Sequence, residues 1–147
     1  MSKTQLLIHV VFCTKNRKPS INLGRKRDLY SVMFNVCKKN NCWVSRINGM
    51  TDHVHLLFDL HPTVALASLI KEIKTDTHKY LKNNPYFPVF DQWGVGYFAA
   101  SVSPKDKESV IDYIINQQVH HAKGGFMIEI ENLIKENGME WYMDDWM

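Results

Sequence analysis

Acidic side chains are nearly missing from the first third of this chain. In residues 1–50, Asp28 alone faces ten Lys or Arg (Lys3, Lys15, Arg17, Lys18, Arg25, Lys26, Arg27, Lys38, Lys39 and Arg46), a local charge of +9. The whole chain is +3, so the remainder carries −6. Such an excess at one end attracts a polyanion, although a solvated basic surface with no partner is the plainer alternative. Five prolines and seven glycines are too few for a disordered or collagen-like polymer, and 45% apolar residues are enough to offset the entropy of folding. Long apolar runs are also missing. Leu6–Ile8 and Val10–Phe12, broken by His9, fall far short of the ~20 residues a membrane-spanning helix needs. Met1-Ser2-Lys3-Thr4 lacks the apolar centre and cleavage site of a secretory signal, and Cys13, Cys37 and Cys42 cannot all pair within one chain. The expectation is a cytosolic protein with reduced thiols. At 147 residues it should form one domain, spanning 1–147, around one core.

Periodicity supplies the elements. Gln5–Thr14 is apolar on both alternating faces, as a central strand covered on both sides would be. A basic loop, Lys15–Pro19, follows it. Leu29, Val32, Met33, Val36 and Cys37 recur at helical spacing and predict an amphipathic helix from Gly24 to Asn40-Asn41. Cys42–Ile47 and His53–Leu60 read as strands of a hairpin joined by Asn48–Asp52. Pro62 and Thr63 open a second helix with the stripe Leu66, Leu69, Ile70, Ile73, Thr77, Tyr80 and Leu81. Val95–Val102 reads as a fourth strand. Ser103, Pro104 and Asp106 mark the start of a third helix, expected to run over about 104–122 until Lys123-Gly124-Gly125 stops it. Phe126–Asn137 reads as a last helix.

The order β-α-β-β-α-β, followed by helices, predicts an α+β fold: a ferredoxin-like sandwich with a four-stranded antiparallel sheet and additional C-terminal helices. That architecture by itself implies no function.

Two local patterns could carry chemistry. In Asp52-His53-Val54-His55-Leu56-Leu57-Phe58, strand alternation sends both histidines to one face, close enough to converge on a metal ion, or simply to be solvated. Asp52 and Asp59 lie nearby, and Asp59 shares the histidine face. On the third helix, Tyr113 and Gln117 are one turn apart and share a face that His120 and His121 extend, a pattern also common on exposed helices. Lys71, Lys74, His78 and Lys82 form a basic stripe on the second helix; with Lys15–Lys18 and Arg25–Arg27 it could track phosphates. Trp43, Tyr97 and Phe98 could stack on bases or belong to the core.

Taken together, these segments resemble a known family. Met50-Thr51-Asp52-His53-Val54-His55-Leu56-Leu57 is similar to the His-hydrophobic-His motif of the HUH-superfamily transposases of short bacterial insertion sequences that use one tyrosine, including the REP-associated tyrosine transposases. Tyr113-Ile114-Ile115-Asn116-Gln117 resembles their tyrosine motif. Thr14–Lys18, Lys71–Leu81, Trp93–Phe98 with Ser101-Val102, and Gln118–His121 are similar as well, whereas Thr51 stands where proline is common. The resemblance implies that Tyr113 is a nucleophile toward single-stranded DNA, leaving a 5′-phosphotyrosine and a free 3′-hydroxyl for rejoining. It also implies that His53, His55 and Gln117 bind a divalent metal ion, Mg2+ or Mn2+, as a neutral ligand set that needs no carboxylate. His120 and His121 could be substitute ligands, but solvated histidines at a helix end are the plainer reading.

The implied DNA is single-stranded with hairpins at element ends, contacted by Lys15, Arg17, Lys18, Arg25, Lys71, Lys74 and Lys82. The implied assembly is a homodimer in the bacterial cytoplasm, nucleoid-associated when on DNA, in which sites commonly combine histidines of one chain with the tyrosine of the other. Two rival readings remain: a non-catalytic nucleic-acid-binding regulator on the same scaffold, and a metal-dependent phosphodiesterase that uses water, with Tyr113 structural.

Overall fold

Side chains alternate along each strand, so the sheet has two chemically different faces, and each recruits its own cover. The computed structural model describes residues 2–121 and 125–146. Its strands are β1 (Leu7–Cys13), β2 (Trp43–Gly49), β3 (His53–Asp59) and β4 (Phe98–Ser101), in the spatial order β2-β3-β1-β4 with every pairing antiparallel. Helices α1 (Lys26–Lys39) and α2 (Leu66–Leu81) are the two crossovers. This is the four-stranded antiparallel α+β arrangement read from the element order.

Val10 and Phe12 of β1 and Val54, Leu56 and Phe58 of β3 point to the first face, where Leu29 and Met33 of α1 and Leu69 and Ile73 of α2 bury them. Fully burying side chains of this size stabilises the fold by roughly 1.5–3 kcal/mol each before entropy is counted. The second face carries His9, Val11, Cys13, His53, His55 and Phe98. It is covered by α3 (Lys107–Ile115), α4 (Gln117–His121) and α5 (Phe126–Glu136). Phe126, Ile130 and Ile134 of α5, with Trp146, pack there on Val11, Cys13 and Phe98.

Several elements depart from their expected bounds. β2 runs on to Gly49, so that Asn48 and Gly49, expected in the connection, pair with His55 and Val54. β4 starts at Phe98 rather than Val95, because Lys74 Nζ takes the carbonyls of Gly94 and Gly96 at 2.9 and 2.7 Å and Gly96 adopts φ +84°. α2 starts at Leu66 rather than at Pro62-Thr63: His61–Val64 closes a turn, with Val64 N donating to His61 O at 3.0 Å. The single helix expected over about 104–122 is a short 3-10 turn followed by α3 and α4, separated at Asn116 (φ −92°, ψ 27°). The stop expected at Lys123-Gly124 lies outside the described residues, as do the side chains of His120 and His121.

Candidate active site

Pairing of β3 with β1 sets the site. Cys13 faces His53 and Val11 faces His55 across the ladder, so the two imidazoles project side by side from the middle of the sheet, both fully buried. Each has a partner on its inner nitrogen. His53 Nδ1 is 2.7 Å from Asp52 Oδ1, and His55 Nδ1 is 2.9 Å from His9 Nε2, from the diagonal position on β1. In the neutral imidazoles such contacts favour the tautomer with the proton on Nδ1, which turns the Nε2 lone pairs toward the site. Asp59 is placed elsewhere: at the far end of β3, its Oδ1 accepts from Leu6 N.

The tyrosine and glutamine arrive from the broken helix. α3 ends at Ile115, and β2 secures that end: Asn48 Nδ2 donates to Ile114 O at 2.9 Å and Ile115 O at 3.1 Å, using carbonyls a helix terminus leaves unpaired. Lys26 Nζ in turn donates to Asn48 Oδ1. The chain restarts as α4 with Gln117 as its first residue, wholly buried, its Oε1 3.0 Å from His53 Nε2. Tyr113 lies over the imidazoles, its ring centroid 5.7 Å from that of His55 and 6.3 Å from that of His9. A single chain therefore brings together all four residues expected from the two motifs.

A fifth group stands between them. Glu129 of α5 places Oε1 3.2 Å from His53 Nε2 and 3.4 Å from His55 Nε2. Its Oε2 accepts a hydrogen bond from the Tyr113 hydroxyl and another from Gln117 Nε2 at 3.1 Å. His53, His55 and Glu129 each offer a ligand atom, all within 4.8 Å of one another, so a carboxylate stands where a neutral ligand set was expected. Glu129 and His9 are the residues that sequence reasoning missed. A signal for Glu129 exists: it sits three residues after Phe126 and four before Leu133, a lone acid inside the apolar stripe of its helix. For His9 the signal is a histidine in the centre of an otherwise apolar strand.

Burial and charge set the protonation of the group. Burial alone would depress His53, but the hydrogen bonds and charges of Asp52 and Glu129 outweigh it and raise the imidazole to about 9. His9 is driven down to about 3 by burial and then by neighbouring His55, so it stays neutral. Burial, followed by the hydrogen bond and charge of Glu129, holds the Tyr113 phenol above its ordinary value. Burial likewise pushes the Cys13 thiol up to about 11 and that of Cys37 to about 12, and the three cysteines are unpaired.

The basic residues divide by environment. Lys15, Lys18 and Lys71 are exposed. Arg17 is half-buried in a loop where Asn16 and Arg17 both take left-handed φ (57° and 54°). Arg25 stacks on the Tyr86 ring at 3.6 Å and pairs with Asp28, and Lys82 is 3.7 Å from Asp91. Lys74 is tied to the Gly94 and Gly96 carbonyls. Among the aromatics, Trp43 is 78% exposed, while Phe98 is buried in the second core. A cavity of about 760 Å³ lined by Thr14, Lys15, Asn16, Tyr97 and Glu140 adjoins the site at Cys13 and Phe98.

Comparison with known proteins gives the family of the chain. Residues 2–117 match the family described as "Transposase IS200 like", which is most of the chain, and the protein belongs to that family. The transposase for insertion sequence element IS200 of Salmonella typhimurium is 23% identical over 135 residues, covering 83% of this chain and 82% of its own length. The ISDra2 transposase TnpA of Deinococcus radiodurans is 25% identical over 124 residues, covering 77% and 84%. Two solved structures share the fold. One is assigned to a Deinococcus radiodurans transposase (TM-score 0.59, 22% identity, 79% of this chain and 93% of that one). The other is a REP-associated tyrosine transposase bound to a REP hairpin (TM-score 0.63, 18% identity, 82% and 74%).

Proposed function

We propose that the chain is a metal-dependent transposase that cuts and rejoins single-stranded DNA, with Tyr113 as nucleophile. The reading rests on one observation: the Tyr113 ring, two buried imidazole Nε2 atoms and the Gln117 amide meet in one place. A phenolic oxygen attacking phosphorus forms a 5′-phosphotyrosine as the P–O3′ bond breaks, and that ester conserves the energy needed for a 3′-hydroxyl to reseal the strand. His53, His55 and Gln117 would hold a divalent ion, Mg2+ or Mn2+. When bound, it polarises phosphate oxygens and stabilises charge developing on them.

The donor set fits such an ion. His53, His55 and Glu129 each turn a ligand atom to one point, all within 4.8 Å of one another, and Gln117 Oε1 lies 3.0 Å from His53 Nε2, so an ion would take the place of the proton that metal-free His53 holds there. The substrate proposed is single-stranded DNA with hairpins at the element ends, and a structural relative captured with a REP hairpin supports that class. Lys15, Lys18 and Lys71 are free to meet phosphates, together with Arg17, Arg25 and Lys82 once their present contacts exchange; Lys74 supports the loop beside them. We further propose that residues 1–147 act as a single domain, as a homodimer, at the nucleoid in the bacterial cytoplasm. No described helix is long and apolar enough to cross a membrane.

The test is a labelled single-stranded oligonucleotide carrying the element ends, incubated with protein and Mn2+ and run on a denaturing gel. A covalent adduct lost in Tyr113→Phe is the expected result. Binding without cleavage would indicate a regulator, and cleavage with no adduct a hydrolase.

A further inference from the structure

We infer that Glu129 is a catalytic residue of this site: one carboxylate oxygen ligates the ion held by His53 and His55, while the other takes the phenolic proton of Tyr113. This rests on the reading of Tyr113 as nucleophile. Glu129 lies on α5, beyond residues 2–117 that match the family, so the two recognised motifs do not include it.

Three observations carry the inference. The first is reach: the two oxygens are divided between two jobs, Oε1 facing both Nε2 atoms and Oε2 accepting from the Tyr113 hydroxyl and Gln117 Nε2. The second is cost. The side chain is only 9% exposed, and burying a carboxylate is expensive by several kcal/mol unless charge or hydrogen bonds compensate. Docking α5 does not need it, because Phe126, Ile130 and Ile134 already seat that helix on the sheet through apolar contacts. The third is demand. A phenol ordinarily ionises only at about pH 10, so attack at neutral pH requires an acceptor within hydrogen-bond reach, and Glu129 Oε2 already accepts from the Tyr113 hydroxyl.

In the forward step the Tyr113 O–H bond breaks and its proton passes to Glu129 Oε2. The freed electron pair forms the O–P bond, the P–O3′ bond breaks with its pair staying on the 3′-oxygen, and water protonates that oxygen to a hydroxyl. Rejoining reverses the sequence, and the protonated carboxyl returns its proton to the departing phenol. The carboxylate also changes a neutral ligand set into an anionic one, so the protein should take up Mn2+ without DNA.

Two measurements test the halves separately. Calorimetric titration of Mn2+ into DNA-free protein should show binding that weakens about tenfold or more in Glu129→Gln, following the usual cost of losing a group that supports a metal site. Unchanged affinity overturns the ligand role. In the adduct assay Glu129→Gln should slow phosphotyrosine formation by about 10²–10⁴-fold. Placing a ring-fluorinated tyrosine at position 113, whose phenol ionises far more readily, should restore most of that loss; no relief overturns the proton-acceptor role. Should Glu129→Gln melt too low to assay, Glu129→Asp keeps the charge, shortens the reach, and should show both defects in milder form. An adduct that survives Tyr113→Phe defeats the reading of Tyr113 itself. An adduct abolished by Tyr113→Phe but formed at the parental rate by Glu129→Gln defeats only the role given to Glu129.

Discussion

His9 Nε2 stands 2.9 Å from His55 Nδ1, with the two rings stacked at 5.2 Å between centroids, so a histidine on β1 orients a ligand on β3. Because His9 stays neutral, it can accept the Nδ1 proton of His55 and so keep Nε2 turned toward the site. Replacing His9 with Phe keeps much of the ring volume and removes the acceptor. Mn2+ affinity should then fall about 10–100-fold, measured calorimetrically, with the far-ultraviolet dichroism spectrum unchanged.

Asn48 makes a second, separable prediction. Its amide donates to the Ile114 and Ile115 carbonyls at the C-terminal end of α3, and Asn48→Ala takes that donor from both. Unfolding free energy should drop by about 1–3 kcal/mol in urea titration. Because that end of α3 positions Tyr113 and the start of α4 positions Gln117, adduct formation should fall by more than the loss of folded protein explains. Asn48→Asp, which cannot donate, should be no better than alanine.

Gly49 allows a sharper steric test. A Cβ there would lie 2.2 Å from the carbonyl oxygen of His53, a backbone atom with no room to retreat. Gly49→Ala should therefore destabilise the protein by roughly 1–3 kcal/mol or more and disturb the first residue of the histidine motif. Thermal melting and Mn2+ titration of the same variant should both register the change.

The pH dependence of metal-free protein follows from two opposed histidines. His53 is raised to about 9 from its ordinary 6.5, so its contribution to stability is complete below pH 6.5 and fades as pH climbs through 9. His9 is lowered to about 3, so its contribution is complete above pH 6.5 and fades as pH falls toward 3. The melting temperature should peak near pH 6.5 and decline on both sides, and His53→Asn should remove most of the alkaline decline. The same proton competes with the ion for His53 Nε2, so Mn2+ affinity should rise between pH 7 and 9.

The basic residues predict different salt behaviour. Removing the charges of Lys15, Arg17 and Lys18 should flatten the plot of log K against log salt for single-stranded DNA by roughly 0.7 for each phosphate no longer neutralised. Lys74→Met should leave that slope nearly unchanged while lowering the melting temperature. Its ammonium donates to the Gly94 and Gly96 carbonyls at 2.9 and 2.7 Å, and the substitution removes both bonds.

What the amino-acid order determined by itself was local. Alternation in His53-Val54-His55 put both imidazoles on one face, helical spacing built α1 and α2, and the order of elements led to the four-stranded antiparallel sheet, because period and short-range turn chemistry act between neighbours in sequence. The meeting of Tyr113 with the histidines was an expectation carried by resemblance, and the break at Asn116 was invisible because the amide that stabilises it comes from Asn48, far away in sequence. Only the tertiary structure decided that α5 lies over the histidine face, that His9 backs His55, and that Glu129 enters the site. Those contacts join strands and helices whose spacing in the chain carries no periodic signal, and they form because the apolar faces of β1, β4 and α5 exclude water together.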